Sequence, residues 1–298
     1  MKVIRGNIME KKKANIAILY DFDNTLCTKD MQEYSFIPNL GMEPVDFWEE
    51  CNDFSKFEKM DSILTCMYKM IEKSNANNNS IQREDFVEHG SKIEFFPGVE
   101  KWFDKINKHG ENLGLNVEHY IISSGLKEII EGTEIAKEFR EIYACEYYYD
   151  SRGIAIWPKM AINYTNKTQF LFRINKGVFD VSNNCDLNRV IPENERHTPF
   201  TNMIYLGDGM TDIPCMKLVK DRGGKSIAVY KEGQKSKVDS LLIDDRVDFL
   251  SLADYTEGSE LMDIVKSVMI KIASQSALEE IHKTHMDEVK DGEAHFEC

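Results

Sequence analysis

The chain has 298 residues, enough for one or two domains with a sizeable core, and its 42% hydrophobic and 30% charged residues are typical of a globular protein. A formal net charge of −14 disfavours a general nucleic-acid or anionic-membrane surface. No apolar run reaches the roughly 18 residues of a membrane span, and the opening MKVIRGNIMEKKKANIA lacks the apolar region of a secretory signal. The seven cysteines are scattered without a C-x-x-C pair, which favours reduced thiols in a cytoplasmic protein.

The first predicted element is a buried strand, NIAILYD at 15–21, because a near-continuous apolar run suits a parallel strand covered on both faces. Helical periodicity dominates residues 29–91, which predicts a small helical cap inserted after this strand. A helix is predicted at 97–110, with proline at its start and glycine at its end. We therefore predict a discontinuous α/β core of residues 1–28 and 92–298 and a cap of residues 29–91.

Strands and helices alternate in the rest of the chain. Their alternation predicts a doubly wound, Rossmann-like parallel sheet, and hence an α/β protein. In chain order, the predicted elements are a strand at 118–124, a helix at 126–139, a hairpin around Ser151–Gly153, a helix in KTQFLFRI, a strand at 202–208, a helix at 211–221, weaker strands at 226–230 and 247–252, and an amphipathic helix from Glu257 that fades into a polar, frayed end.

Polar side chains follow the three strongest strands, at the edge where open α/β sheets bind ligands. Asp21 and Asp23 follow the first strand, Ser123 the second and Asp208 the third, with Asp212 one turn later. Four carboxylates in one place repel each other, and they would not all stay ionised at neutral pH without a divalent cation and a lysine. Oxygen ligands favour Mg²⁺ over zinc, so we predict a magnesium site.

The motifs at these strand ends form a recognisable series. Asp21-x-Asp23-x-Thr25, Ser123 after YII, a downstream lysine and GDGMTD at 207–212 resemble motifs I to IV of the haloacid dehalogenase (HAD) superfamily. FFPGVEKWF and the position of the cap are similar to the phosphoserine-phosphatase-like subclass. The resemblance implies a Mg²⁺-dependent phosphatase that hydrolyses a small phosphate monoester.

This resemblance also implies a role for each motif residue. Asp21 would be the nucleophile that forms an aspartyl-phosphate, and Asp23 would protonate the leaving group and then activate water. Mg²⁺ would be held by the side chains of Asp21 and Asp208 and by the backbone carbonyl of Asp23, while Asp212 would orient a metal ligand. Ser123, which we expect at the start of a helix, would hold phosphoryl oxygens.

The sequence leaves the lysine of the third motif open. Lys159, Lys167 and Lys176 all lie between Ser123 and Asp208. Lys167 is preferred because NKTQFLF places it at the start of a helix, as in the phosphoserine phosphatases, where its charge would balance the nucleophile and the phosphoryl group. Lys159, just after WP, is the alternative, and a surface lysine without a role is the alternative to both.

The cap predicts little about the substrate. Asp30 occupies the position, nine residues after Asp21, where phosphoserine phosphatases carry a glutamate that binds the substrate amino group. Its charge suggests a cationic or hydroxyl-rich leaving group, and a solvated residue at the hinge is the alternative. Arg83 is the only cap arginine available for a substrate carboxylate, so phosphoserine itself is not predicted. The other candidates for substrate contact are Thr25, Ser124 and Gly125.

Two other functions stay open. A phosphomutase or phosphotransferase of the same superfamily would keep both aspartates of the first motif and differ in the phosphoryl acceptor. A non-catalytic phosphate-binding interaction protein would be expected to have lost a motif residue, and none is missing. In each case the expected partner is a small phosphorylated metabolite, with neither nucleic acid nor a membrane.

Overall fold

The computed structural model describes residues 13–293, and within this range seven strands form one sheet in the order β4-β3-β2-β1-β5-β6-β7. β4 is antiparallel to β3, and every other neighbouring pair is parallel. The predicted fold class is therefore confirmed. The strands are β1 (Ala14–Tyr20), β2 (Leu115–Leu126), β3 (Glu141–Tyr149), β4 (Ala155–Met160), β5 (Met203–Gly207), β6 (Lys225–Tyr230) and β7 (Phe249–Leu252).

Helices cover the sheet on both sides. α5 lies against β2, α11 lies against β1 and β7, and these two helices contact each other. α7 lies against β2, α9 lies against β5 and β6, and these two helices also contact each other. The bounds are α1 (Phe36–Asn39), α2 (Pro44–Glu58), α3 (Ser62–Ala76), α4 (Arg83–Gly90), α5 (Val99–Asn112), α6 (Lys127–Glu131), α7 (Lys167–Lys176), α8 (Asn184–Asn188), α9 (Ile213–Asp221), α10 (Asp239–Ile243) and α11 (Glu260–Glu293).

The strand order reverses at β1, which places a crevice at its carboxyl end. The chain runs from β1 outward to β2 and β3, and then returns to the other side of β1 with β5. Right-handed crossovers in opposite directions put the connecting helices on opposite faces and leave a gap where the two directions diverge. The residues just after β1 and β5 therefore border the crevice where such sheets bind ligands.

Helices α1 to α4 lie between β1 and α5 in the chain, and they are joined to the core by the β3–β4 hairpin. The Tyr147 hydroxyl donates a hydrogen bond of 2.7 Å to the Met67 carbonyl of α3, and its ring stacks on Phe86 of α4. The Ala155 N–H at the start of β4 donates to the Ile81 carbonyl at 2.9 Å. These contacts attach the helical region to the core, while the division at residues 28/29 and 91/92 stays a prediction.

The structure corrects the helix predicted at 126–139. α6 ends at Glu131, and after a break a short 3₁₀ turn covers Ala136–Glu138. Gly132 follows α6, and a Cβ on it would lie 1.8 Å from the Val87 carbonyl oxygen of α4. The close approach of α4 therefore occupies the space that a continued helix needs.

The C-terminal helix is described as far as Glu293, and the rest of the predicted frayed end lies outside the described residues. α11 runs from Glu260 to Glu293 without interruption. Its first half is buried on the sheet, and no proline occurs in the helix to stop the pattern of hydrogen bonds. Among residues 13–293, no helix is both long and apolar enough to cross a membrane.

Candidate active site

The two aspartates of the first motif follow β1 at the crevice. The Asp21 N–H donates a hydrogen bond of 2.9 Å to the Leu206 carbonyl of β5, so β1 and β5 together hold the backbone at this point. Asp208 follows the last residue of β5 directly. Both carboxylates therefore reach the same edge because the parallel strands end side by side.

Lys167 is the cation of this cluster. As the first residue of α7, it is fully buried, with its Nζ 2.8 Å from Asp212 Oδ1 and 3.2 Å from Asp21 Oδ1. The first contact is a hydrogen bond, whereas the second is an ion pair without hydrogen-bond geometry. Burial alone would lower the pKa of Lys167, but the charges of Asp21 and Asp212 outweigh it and raise the pKa. One ammonium group thus bridges two buried carboxylates.

A single lysine does not balance all the acids. Burial, followed by the charge of Asp212, raises the pKa of Asp21 to about 7, although Lys167 opposes the shift. Burial, with the charges of Asp212 and Asp21, raises the pKa of Asp208 to about 8. The described residues alone therefore leave the cluster short of positive charge at neutral pH.

Asp212 is held more firmly than the other acids. Its Oδ1 accepts hydrogen bonds from Lys167 and, at 2.8 Å, from the Tyr205 hydroxyl of β5. A Cβ on Gly207 would lie 2.6 Å from the Asp212 carboxyl carbon, so the glycine makes room for this side chain. Asp212 is therefore satisfied by protein groups, and its position suits a residue that orients its neighbours.

Asp23 is positioned by the start of the helical region. Its Oδ1 accepts a hydrogen bond of 2.8 Å from the Met31 N–H. A Cβ on Gly125 would lie 2.9 Å from Asp23 Oδ2 and 2.0 Å from Met31 Cε. Burial, followed by the charges of Asp30 and Asp21, raises the pKa of Asp23 well above its usual range. Gly125 thus belongs to this edge because it lets the second aspartate come close.

Ser123 does not begin a helix as predicted. It lies within β2, and α6 starts four residues later at Lys127. The pairing of β2 with β3 shifts register between Ile122 and Leu126, and the Gly125 N–H donates to Ser123 Oγ at 3.0 Å. This irregular part of the strand replaces the expected helix start, so the Gly125 N–H rather than a helix terminus contacts the serine hydroxyl.

Two further candidate residues carry hydroxyls without hydrogen-bond partners. Among the described residues, neither Thr25 Oγ1 nor Ser124 Oγ has a partner, although both atoms are buried. Their carbonyls are engaged instead, that of Thr25 by the Tyr255 hydroxyl at 2.7 Å and that of Ser124 by the Cys145 thiol at 3.3 Å. Buried unpaired hydroxyls are uncommon, so both side chains retain unused hydrogen-bonding capacity.

The competing lysines lie elsewhere. Lys159 of β4 is 53% exposed and pairs with Glu146 at 2.6 Å. Lys176, at the end of α7, donates to the Leu187 and Arg189 carbonyls at 2.6 and 2.8 Å. Of the three candidates for the third motif, the structure brings only Lys167 to the aspartates.

The candidate substrate residues of the cap are both engaged by protein groups. Asp30 accepts a hydrogen bond of 2.8 Å from Asn24 Nδ2, and burial, followed by Glu33, raises the pKa of Asp30. Arg83 of α4 forms an ion pair with Glu131 of α6. The arginine is thus part of the contact between α4 and α6 rather than a free cation for a substrate carboxylate.

The donor set fits a divalent cation. Carboxylate oxygens of Asp21, Asp208 and Asp212 lie within 4.8 Å of one another, and Asp21 Oδ1 is buried without a hydrogen bond. Because Asp212 Oδ1 is shared by a lysine and a tyrosine, Asp21 and Asp208 are the carboxylates left for a metal. An all-oxygen set of this kind suits a hard cation.

Sequence reasoning missed Tyr205 and Met31. Tyr205 lies inside the apolar run of β5, and Met31 acts through its backbone N–H, which no side-chain pattern reports. A tyrosine in a fully buried strand does need a partner for its hydroxyl, and this was the available signal.

The model of a known protein family matches this chain. Residues 18–217 match haloacid dehalogenase-like hydrolase, a span that contains every motif residue described above. The chain belongs to the haloacid dehalogenase-like hydrolase family. The predicted family and the predicted enzyme class, a hydrolase, are thereby confirmed. An uncharacterized protein of Borreliella burgdorferi is 28% identical over 294 residues, which cover 89% of this chain and 100% of that protein.

Solved structures of HAD phosphatases share the fold. A HAD family hydrolase from Salmonella enterica serovar Typhi has a TM-score of 0.52 at 17% identity, covering 80% of this chain and 67% of that one. A phosphoserine phosphatase with an analogue of the phospho-aspartyl intermediate has a TM-score of 0.52 at 15% identity, covering 86% and 99%. A probable phosphoserine phosphatase from Vibrio cholerae has a TM-score of 0.51 at 11% identity, covering 89% and 67%. At these identities the likeness shows the fold alone.

Proposed function

We propose that this HAD-family protein is a Mg²⁺-dependent phosphatase that hydrolyses a small phosphate monoester through an aspartyl-phosphate. The observation that carries the proposal is the buried Lys167, whose Nζ lies 3.2 Å from Asp21 Oδ1 and 2.8 Å from Asp212 Oδ1 at the crevice of the sheet. A buried ammonium group at this position would balance the charge of a phosphoryl group in front of Asp21. Because the cluster is already short of positive charge, binding such an anion would also require the divalent cation.

In this proposal Asp21 attacks phosphorus, and the leaving oxygen takes a proton from Asp23. The Met31 N–H holds Asp23 Oδ1, so Oδ2 is the oxygen that would carry the proton. After the alcohol departs, Asp23 takes a proton from the water that attacks the aspartyl-phosphate, and Asp21 is regenerated. Lys167 stays charged throughout and balances the phosphoryl oxygens.

We assign the Mg²⁺ ligands to the side chains of Asp21 and Asp208 and the backbone carbonyl of Asp23. When bound, the cation neutralises the repulsion between an anionic nucleophile and an anionic phosphate. Asp212 keeps Lys167 in place, and Ser123 donates its hydroxyl to a phosphoryl oxygen. The phosphoserine phosphatase structure with a phospho-aspartyl intermediate analogue, which shares the fold, supports this chemistry.

Residues 29–91 are proposed to act as the cap that selects the leaving group, with Asp30 as a contact for a cationic or hydroxyl-rich group. Thr25, Ser124 and Gly125 would surround the phosphate. Phosphoserine belongs in the substrate panel because several proteins with a similar fold are named phosphoserine phosphatases, although Arg83 forms an ion pair with Glu131.

The six cysteines that the structure describes from Cys27 to Cys215 are all free thiols, as is typical of a cytoplasmic protein.

The test is phosphate release from a panel of small phosphomonoesters, with Mg²⁺ or EDTA. Wild type should release phosphate only with Mg²⁺. The rate of phosphate release should be at least about 1,000-fold lower in Asp21→Asn, because this variant lacks the nucleophile. Asp104→Asn is the matched control, since Asp104 of α5 is exposed. Borohydride reduction of quenched enzyme should modify Asp21. Folded, Mg²⁺-loaded protein without turnover on any compound would favour the non-catalytic interaction protein.

A phosphomutase or phosphotransferase would use the same residues and differ only in the acceptor. With a labelled phosphate donor and an added sugar phosphate or alcohol, a mutase or transferase would move the label to the second organic molecule. A phosphatase would release it as inorganic phosphate. Equal labelling at Asp21 in both cases means that only the product distinguishes the two functions.

A further inference from the structure

The second half of α11 is exposed to solvent, unlike the first half, within the part of the chain that the structure describes. Up to Ile272 the helix buries apolar side chains against the core, including Leu261, Val265 and Met269. From Ala277 to Lys290 every residue is exposed. Helical segments of this length are marginal in water by themselves, so this half of the helix is expected to have a partner.

Its apolar residues form a stripe of their own. Leu278, Ile281, Met286 and Val289 are 62%, 52%, 44% and 57% exposed, and we call them the outer stripe. At about 100° per residue they lie within less than half of the helix circumference. The outer stripe is rotated by roughly a third of a turn from the face that packs on the core.

The outer stripe is therefore not a continuation of the core-facing surface. The positions that would continue that surface are Ser276, Glu279 and Lys283, which are polar or charged. A helix that had simply outgrown its core would be polar on all sides. The change of face indicates a second surface with a different partner.

We propose that the outer stripe pairs with the same stripe of a second copy of this chain, as two antiparallel helices. In this register Leu278 faces the partner's Val289, and Ile281 faces the partner's Met286. His282 and the partner's His285 meet at the centre, between the two apolar layers. A two-fold axis then pairs each apolar residue with another apolar residue, as an isologous interface requires.

Charge complementarity supports a second copy as the partner. Glu279 and Lys290 flank the stripe on the same side, and the antiparallel register places Glu279 beside the partner's Lys290. The pair occurs twice in the dimer. Within one helix these residues are 11 positions apart, or about 16 Å, too far to pair with each other.

The same charges disfavour other partners. Residues 274–290 contain four acidic residues, at 279, 280, 287 and 288, and two basic ones, at 283 and 290. Their net charge of −2 repels nucleic acid and anionic membranes. Because the stripe is short, the dimer is expected to dissociate in the micromolar range.

The experiment is sedimentation velocity of the full chain across a concentration series. Wild type should shift from monomer to dimer, and Ile281→Glu should remain monomeric. Thr284→Glu is the matched control, because it adds the same charge at an exposed position outside the outer stripe and should still dimerise. Circular dichroism should show unchanged folding, since neither side chain packs on the core.

Charge reversal provides the sharper test. Glu279→Lys and Lys290→Glu should each weaken the dimer about 3- to 10-fold, and the double variant should restore it, because each new lysine meets a new glutamate only across the interface. Monomeric wild type at several hundred micromolar would overturn the proposal. A dimer that persists in Ile281→Glu would also overturn it. Protection of residues 277–290 from hydrogen exchange in a monomer would overturn it as well, and would assign the outer stripe to another partner.

Discussion

The Tyr205 hydroxyl donates a hydrogen bond of 2.8 Å to Asp212 Oδ1 from within a fully buried strand. The same oxygen accepts a hydrogen bond from Lys167, so tyrosine and lysine together determine where the carboxylate lies. Strand β5 thus supports the aspartate that follows it, as well as carrying Asp208 at its end.

We expect Tyr205→Phe to weaken this support while keeping the ring in place. Loss of one buried hydrogen bond should cost about 1 kcal/mol of unfolding free energy. kcat should fall about 3- to 10-fold with little change in KM, because Asp212 and Lys167 gain freedom to move. Steady-state kinetics on the best substrate of the panel would measure this. An unchanged kcat would mean that Lys167 alone positions Asp212.

The lysine assignment has a matched pair of variants. Lys167→Met should reduce activity by at least about 100-fold, because the phosphoryl group and two carboxylates lose the buried cation that lies between them. It should also destabilise the metal-free protein by about 3 kcal/mol, since it leaves buried charges unpaired. Lys159→Met, at the exposed edge strand, should change both quantities little. Denaturant unfolding and phosphate release would show it, and a stronger effect at Lys159 would reverse the assignment.

Gly125 is expected to tolerate no side chain. In Gly125→Ala the new Cβ would lie 2.9 Å from Asp23 Oδ2 and 2.0 Å from Met31 Cε, so kcat should fall about 10-fold as Asp23 moves. Adding Met31→Ala removes the second clash but leaves the first. The double variant should therefore regain thermal stability without regaining kcat. Recovery of both would mean that the methionine, not the aspartate, restricts this position.

A buried histidine predicts part of the acid sensitivity. His119 of β2 accepts from the Tyr20 hydroxyl and contacts Asn107 Oδ1, both at 3.0 Å, an arrangement that suits the neutral ring. Burial lowers the pKa of His119 from 6.5 to about 3. The unfolded chain therefore binds a proton before the folded one does, and this contribution to stability, complete above pH 6.5, is lost as pH falls towards 3.

The measurement compares the wild type with His119→Gln by denaturant unfolding between pH 7 and pH 4. As the pH falls below 6, the unfolding free energy of the wild type should decrease more steeply than that of His119→Gln. The difference in slope should reach up to about 1 kcal/mol per pH unit, because only the wild type carries this titrating group. The variant is expected to be less stable at pH 7, so the slopes rather than the absolute values are compared. Parallel slopes would show that His119 titrates normally in the folded protein.

Much of the fold could be predicted from local patterns. The apolar runs that precede Asp21, Ser123 and Asp208 became β1, β2 and β5, because so many consecutive apolar residues are stable only between two covered faces. Pro97 correctly indicated the start of α5, but Gly110, which was predicted to end the helix, lies inside it, and the helix continues to Asn112. The polar residues after these strands carried the resemblance to the HAD motifs.

The sequence alone determined which residues arrive at the crevice, since those that end parallel strands share one edge. Only the tertiary structure brought Lys167 rather than Lys159 to the aspartates, placed Ser123 in a strand and paired Arg83 with Glu131. Each of these outcomes depends on which distant segments pack together. Local periodicity reports whether a side chain is buried, but the choice of its neighbour is set by strand order and by the close approach of helices.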